Sequence, residues 1–249
     1  MTSVIADLIP LLESRYKANL TFQEIRKGAQ ALSQTYVQGR DRMRQHDWGA
    51  GKRAAFCLYY AALHGLVIEH LIPELHLEKP QRIIDIGCGT GLPGLVWQRL
   101  ASANASLLGF EPSKWSAEEA TWLYRSAKVQ GQVQQKNCDA LQGMNTALKS
   151  TDAILLAYVI NELPDETRHE FLRTLQKAAT SGCTIFIVEP IAQITKHWWD
   201  DWVLALGATT GEMKKRVILP ESIKLFDKAS KLDHSTLKAR WMVVRQQRS

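Results

Sequence analysis

Cysteine is scarce in this 249-residue chain and poorly placed for any joint task. Cys57, Cys88, Cys138 and Cys183 stand far apart, with no CxxC pair among them. That spacing excludes a zinc ribbon and a disulfide framework, and it points to a reducing compartment. Cys57, Cys138 and Cys183 read as small buried hydrophobes. No uninterrupted apolar run approaches the ~18 residues that mark a membrane-spanning helix. The opening MTSVIADLIPLLESRYKANL lacks the basic start and apolar stretch of a secretory signal, and Asp7 and Glu13 sit where a transit peptide avoids acids. A cytoplasmic protein without a membrane partner is the expectation. Internal repeats and low-complexity linkers are absent, and so is a phosphate-binding GxxxxGK followed by Ser or Thr.

What is present is an ordinary globular composition, 45% hydrophobic and 22% charged, in a chain long enough to bury a core of generous size. Lys and Arg number 31 against 25 Asp and Glu, a formal net charge of +6. Such an excess is compatible with a polyanionic partner but is shared by many basic enzymes.

Residues 1–80 read as helical. Apolar residues recur at three and four (Val4, Leu8, Leu11, Leu12; Ile25, Ala29, Leu32, Tyr36), without alternation. The longest helix is predicted from about Ala50 to about His70, ending before Pro73. After Pro80 the texture changes. RIIDI (82–86), SLLGF (106–110), DAILLAYV (152–159) and TIFIVEP (184–190) are short, apolar and rich in branched residues, as strands buried on both faces of a parallel sheet must be. QVQQKN (132–137) is a weaker strand, and RVIL (216–219) with ARWMVV (239–244) form a late hairpin-like pair. Helices are predicted between them at Leu92–Ala103, Ser116–Lys128 and Asp165–Thr180, and after Pro220. The reading is a doubly wound, mostly parallel α/β sheet over 81–249, with 1–80 as a helical extension.

RIIDIGCGTGLPG (82–94) carries the chemistry. A strand delivers the chain to Gly87, Gly89 and Gly91, and a helix opens near Leu92 with Pro93 in its first turn. Glycine lets a ligand lie against bare main chain. GxGxxG can be forced onto Gly89, Gly91 and Gly94, but Asp85 then has no purpose, because a pyrophosphate gains nothing from an adjacent carboxylate. A cationic, phosphate-free ligand does gain, and S-adenosyl-L-methionine is one. Asp85 is placed for its ammonium, directly or through water, and Gly87, Cys88, Gly89 and Gly91 for packing on the methionyl and ribose parts. Glu111, at the end of the second strand, suits the ribose diol. Asp139 suits the adenine amino group, with Cys138 and Ala140 as backbone donors to the ring. As plain strand ends and turns, these acids have ordinary structural readings too.

Acid-x-Gly-x-Gly-x-Gly, followed by acids after the next two strands, resembles the class I methyltransferases. In such a sheet the residues leaving the fourth strand face the transferable methyl group. Tyr158, Asn161 and Glu162 are therefore the candidate catalytic residues, as acceptor wall, amide and orienting acid. Asn161 as a helix cap and Glu162 as a solvated helix-start acid are the structural alternatives. The Asn/Asp-Pro-Pro-Tyr/Phe signature of amino-methyltransferases is missing here. Glu189-Pro190 reads first as a structural turn, and Trp198 with Trp202 as helix packing. Tyr60, His64 and His197 are candidate acceptor contacts. Arg40, Arg42, Arg44, Lys52 and Arg53, near Tyr36, His46 and Trp48, can hold RNA phosphates and stack bases, or simply be a solvated face.

AYVINELPDETRHEFLRTL (157–175) also resembles a narrower group, the methyltransferase-like family associated with the small ribosomal subunit in bacteria and mitochondria. Tyr36, Arg40, Asp85 to Gly91, Tyr158, Asn161-Glu162-Leu163 and Glu189-Pro190 carry that likeness. It implies association with RNA or the ribosomal small subunit, and for some members binding of the cofactor without turnover. The mitochondrial members' cysteine cluster is missing, so no metal is expected. Methylation of rRNA or a ribosomal component is one expectation. Methylation of a small molecule or peptide beneath a helical lid is the other.

Overall fold

The structure, a computed structural model, describes residues 3–38, 48–77, 79–101, 104–139, 141, 147–191 and 196–245. Strands β1 (Arg82–Ile86), β2 (Ser106–Phe110), β3 (Gly131–Gln134), β4 (Asp152–Ala157) and β5 (Thr184–Glu189) run parallel, and β6 (Thr209–Arg216) and β7 (Thr236–Val244) close the sheet antiparallel. Their order is β3-β2-β1-β4-β5-β7-β6. The chain reverses direction across the sheet between β1 and β4, and the crevice beyond their carboxyl ends is where doubly wound sheets bind ligands.

Alternation along the central strands divides the core in two. Ile83, Leu155, Phe186 and Val188 face one hydrophobic cluster, and Ile84, Ile154, Ile185 and Ile187 face the other. The second cluster is covered by α7 (Asp165–Ala179) and α8 (Lys196–Leu206). Trp198 and Trp202 pack edge to face within it, 5.2 Å between centroids. The first cluster takes in α5 (Leu92–Ala101), α6 (Lys114–Ser126), α9 (Glu221–Ala229) and the N-terminal helices α1 (Val4–Lys17), α2 (Phe22–Gln38), α3 (Ala50–Ala55) and α4 (Ala61–Glu74). One continuous core therefore joins the helical region to the sheet.

Ion contacts pin α1 at both ends. Glu69 of α4 accepts the backbone N–H groups of Val4 and Ile5 at 3.0 Å, placing negative charge on a helix N-terminus. At the other end Glu119 of α6 takes a bidentate bond from Arg15 at 2.7 Å and the hydroxyl of Tyr16.

Two expectations are corrected. The long helix does not stop before Pro73. It runs from Ala50 to Glu74 through a π-helical turn at Phe56–Tyr60, and Pro73 lies in its last turn, where its missing N–H removes a single bond. By length and composition this helix could cross a membrane, yet 78% of its apolar window is buried inside the fold. The late hairpin pairs TTGEMKKR, not RVIL, with β7, and Ile218 is 98% exposed. An edge strand with one solvated face needs few apolar residues, so its composition hid it.

α2 and α3 cross with backbone against backbone. A Cβ on Gly28 would lie 2.2 Å from the carbonyl oxygen of Gly51 and 2.8 Å from the amide of Lys52. Overpacking costs ~1–3 kcal/mol, while alanine gains ~1 kcal/mol over glycine inside a helix. Because the obstacle is main chain, Gly28→Ala is expected to lose about 2 kcal/mol net, read as a lower urea midpoint. An unchanged midpoint would mean that the two helices separate without penalty.

Candidate active site

The glycine loop is held in a left-handed backbone path, with φ of +64° at Gly87, +55° at Gly89 and +85° at Gly91. Each glycine has its own reason. A Cβ at Gly87 would strike Val159 at 2.8 Å and one at Gly91 would strike Tyr124 at 2.6 Å, whereas at Gly89 nothing lies within 4 Å. Gly87 and Gly91 thus allow the loop to pack, and Gly89 leaves open space above it. Glu111, buried at 8% exposure, accepts the Gly89 N–H on one oxygen (2.9 Å) and the Ser113 N–H on the other (2.8 Å).

Beyond the strand ends lies a chamber of about 930 Å³. Gly87, Cys88, Gly89, Thr90, Glu111, Cys138 and Asp139 line one side of it. Tyr60, Leu63, His64 and Val67 of the long helix, with Tyr158 and Glu162, line another. Apart from Leu63, Val67 and Thr90, these are residues expected from the sequence, and the fold brings them together although they are spread over more than 100 positions of chain.

Others are placed differently. Asp85 is 1% exposed and does not line the chamber. It lies beneath the loop, against Gly94 at the start of α5. Its Oδ2 accepts no hydrogen bond, although the nearby Gly94 amide offsets part of the burial penalty. Burial, with a smaller contribution from the Glu111 charge, pushes its carboxyl up to about 8. Gly91 is likewise a loop-packing residue, not a chamber wall.

Asn161, a catalytic candidate by its place after β4, has its side chain engaged within the protein. It lies outside the chamber wall, in the 3-10 turn Ile160–Glu162. Its side-chain amide donates to Glu189 Oε2 and its carbonyl accepts from Trp198 Nε1 at 3.3 Å. Both ends are thus committed to holding the turn, and it does not cap α7 either, where Pro164 takes that position. Glu189 is fully buried and also accepts the Ile160 N–H at 2.7 Å. The carboxylate that closes β5 therefore shapes the segment leaving β4.

Tyr158 is the outlier of that segment. Its φ of +63° is a strained value for a bulky side chain. Its amide is fixed to the Val188 carbonyl at 2.8 Å, and its ring stacks on His64 at 3.7 Å between centroids, 13° from parallel. Burial, reinforced by the nearby His234, pushes His64 down to about 3, so that this wall is neutral.

Tyr36 lies on α2 and His197 on α8, both with side chains outside the described set; Arg40, Arg42, Arg44, His46 and Ala140 lie outside the described residues altogether. Trp48 joins Phe56 and Trp115 in a chamber-lining aromatic cluster with centroids 5.4–6.2 Å apart, and Arg53 stands over Trp115 at 5.3 Å. Trp115, His234 and Lys238 also line the chamber and escaped the sequence reading. They sit on or beside helices and a late strand whose approach to the site is purely tertiary, and no local motif marks them.

A search of the curated proteins finds no match to this sequence. Among solved structures the chain is similar to the cyclase SpnF (14% identity, TM-score 0.50), over 73% of this chain and 81% of that one. It is also similar to a protein whose structure concerns conversion of a disulfide bond into a thioacetal group during echinomycin biosynthesis (15% identity, TM-score 0.50), over 71% of this chain and 79% of that one. These likenesses speak to the fold. Residues 58–238 match the family model described as "Methyltransferase domain", a span that runs from the π-helical turn through the glycine loop to the first residues of β7 and takes in most of the chamber wall. With its loop, its strand-end acids and its strand order all inside or across that match, the chain belongs to the methyltransferase domain family.

Proposed function

We propose that this protein is an S-adenosylmethionine-dependent methyltransferase acting on a small organic acceptor, with the N-terminal helices as its lid. The observation that carries the proposal is the chamber. At about 930 Å³ it lies within the ~300–1,000 Å³ range of small-molecule sites. Aromatic side chains from the long helix and α6 share its wall with the glycine loop.

The residues fit a cationic, phosphate-free donor. Gly89 offers main chain with open space above it, Glu111 presents a buried carboxylate at the rim, and Asp85 holds an unpaired buried oxygen behind the loop. Gly87 and Gly89 would lie along the methionyl part, Glu111 at the ribose, and Cys138 and Asp139 at the adenine. When bound, the donor supplies a methyl group on a sulfonium, an electrophile that needs only an aligned and desolvated nucleophile. Tyr158 and His64 provide that alignment as a flat, neutral wall.

Two experiments test this reading. Titration with S-adenosylhomocysteine should show binding, and Glu111→Gln should weaken it by about 1–3 kcal/mol, roughly 5- to 150-fold, as expected for spoiling hydrogen bonds to a charged acceptor. Unaltered affinity would put the ribose elsewhere. Label from methyl-labelled donor, fed to cell extract, should enter the small-molecule pool. Label in RNA or ribosomal protein instead would favour the second reading, a ribosomal or RNA acceptor, which the net charge of +6 and the Arg40–Arg44 segment support. Donor binding with no transfer to any pool would favour a non-catalytic ribosome-assembly role.

A further inference from the structure

A second constellation stands at the chamber wall, on elements that no motif marks. Asp227, on α9, is 5% exposed. Its Oδ1 accepts the Tyr59 hydroxyl at 2.6 Å and pairs with His234 Nδ1 at 2.6 Å, while its Oδ2 accepts the His234 backbone N–H at 2.8 Å. A carboxylate only accepts, so the ring proton of His234 must sit on Nδ1. In the neutral ring Nε2 then carries the lone pair, and it has no hydrogen-bond partner among the described residues. The His234 side chain is 36% exposed and lines the chamber.

Resting on the methyltransferase reading, we infer that His234, oriented by Asp227 and Tyr59, is the general base of this enzyme and that its acceptor is a hydroxylated aromatic compound. Three observations bear on the acceptor class. An orienting acid behind an imidazole serves a nucleophile that must lose a proton, and a hydroxyl is such a nucleophile whereas a neutral amine is not. The part of the wall that His64 and Tyr158 form is flat, since the neutral His64 ring stacks on Tyr158, and it suits an aromatic ring. Of the two imidazoles that line the chamber among the described residues, His234 is the one with a carboxylate behind it to stabilise the cation formed when it takes a proton.

In the step itself the acceptor oxygen gives its proton to His234 Nε2 as its electron pair bonds the methyl carbon. The carbon–sulfur pair goes to sulfur, so the sulfonium leaves as a neutral thioether and the charge ends on the imidazolium beside Asp227. The titratable groups facing His234 are Tyr59 and His64 from the long helix, Asp227 from α9, and Asp233 and Lys238 along its own segment.

A merely structural role, fastening the segment after α9 to the long helix, would also explain the Asp227 contacts, so the test must separate the two. The probe is a mixture of phenol, catechol and 4-hydroxybenzoate with methyl-labelled donor, comparing wild type with His234→Gln. Methyl ethers should form with wild type. The variant should lose about 100-fold or more in kcat/KM, and its residual rate should rise in proportion to hydroxide where the wild-type rate levels off. S-adenosylhomocysteine affinity should stay within about twofold and the thermal midpoint within a few degrees. Added imidazole should restore part of the rate to His234→Ala. Failure to bind S-adenosylhomocysteine sinks the underlying methyltransferase reading. Binding with no ether formed from any of the phenols overturns the acceptor class. A His234→Gln enzyme with wild-type rate and pH profile, or one that loses rate only in step with stability and is not rescued, overturns the base.

Discussion

Replacing Glu189 by alanine is expected to destabilise the protein by about 3–5 kcal/mol, a large share of what holds a domain of this size. The side chain is fully buried, and its two oxygens gather the Ile160 N–H at 2.7 Å, the Asn161 N–H at 3.4 Å and the Asn161 side-chain amide. Truncation strands those donors without water, at ~1–3 kcal/mol each where they stay buried. It also frees the turn that sets Tyr158 at its unusual φ. Glu189→Gln should fall between, because its own amide group meets donors where a carboxylate meets them with lone pairs. Urea denaturation reads both variants. A midpoint unmoved by Glu189→Ala would show that the turn is held by packing alone, and Asn161 would regain its place as a candidate for contact with substrate.

The second large effect is on pH. Asp85 is pushed up to about 8 in the folded protein, against an unfolded value near ~4. An acid whose folded pKa is raised holds its proton in the native state after the unfolded chain has lost it. Stability from this group is therefore complete below about pH 4 and declines as pH rises through about 8, with a slope of up to ~1.4 kcal/mol per unit between. Donor binding runs the other way. A cationic donor above the loop favours the ionised carboxylate, so binding below pH 8 should release protons, and affinity should rise by as much as ~10-fold per unit toward pH 8. Asp85→Asn should flatten both dependences. Calorimetric titration with S-adenosylmethionine in buffers of differing protonation enthalpy reads the proton release. Equal heats in all buffers would mean that Asp85 serves only to pack the loop against Gly94.

These two sites show what kind of information a chain carries locally. RIIDI, SLLGF and TIFIVE appear as buried strands because a parallel sheet covered on both faces demands unbroken apolar runs, and the glycine loop appears because its φ values exclude other residues. Helical spacing put Leu8, Leu12, Ile25, Ala29 and Leu32 in the core. Strand-end acids were legible for the same reason, since the carboxyl end of each strand must face the crevice. Glu111 and Asp139 reach the chamber on that logic. β6 was misplaced because an edge strand with one solvated face carries no apolar signature, and Pro73 proved compatible with a last helical turn.

What a side chain does once delivered was decided only in three dimensions. Asn161 and Glu162 are neighbours in sequence, yet the first is bound by its side chain to Glu189 and Trp198, which lie 28 and 37 residues on, while the second lines the chamber. The pairing of Asp227 with Tyr59 spans 168 residues. By itself the sequence determined the central parallel strands and the glycine loop, because backbone geometry and periodicity are constraints between near neighbours. The tertiary structure alone decided which residues line the chamber and which carboxylate meets which imidazole, because those are contacts between elements whose meeting no short-range pattern encodes.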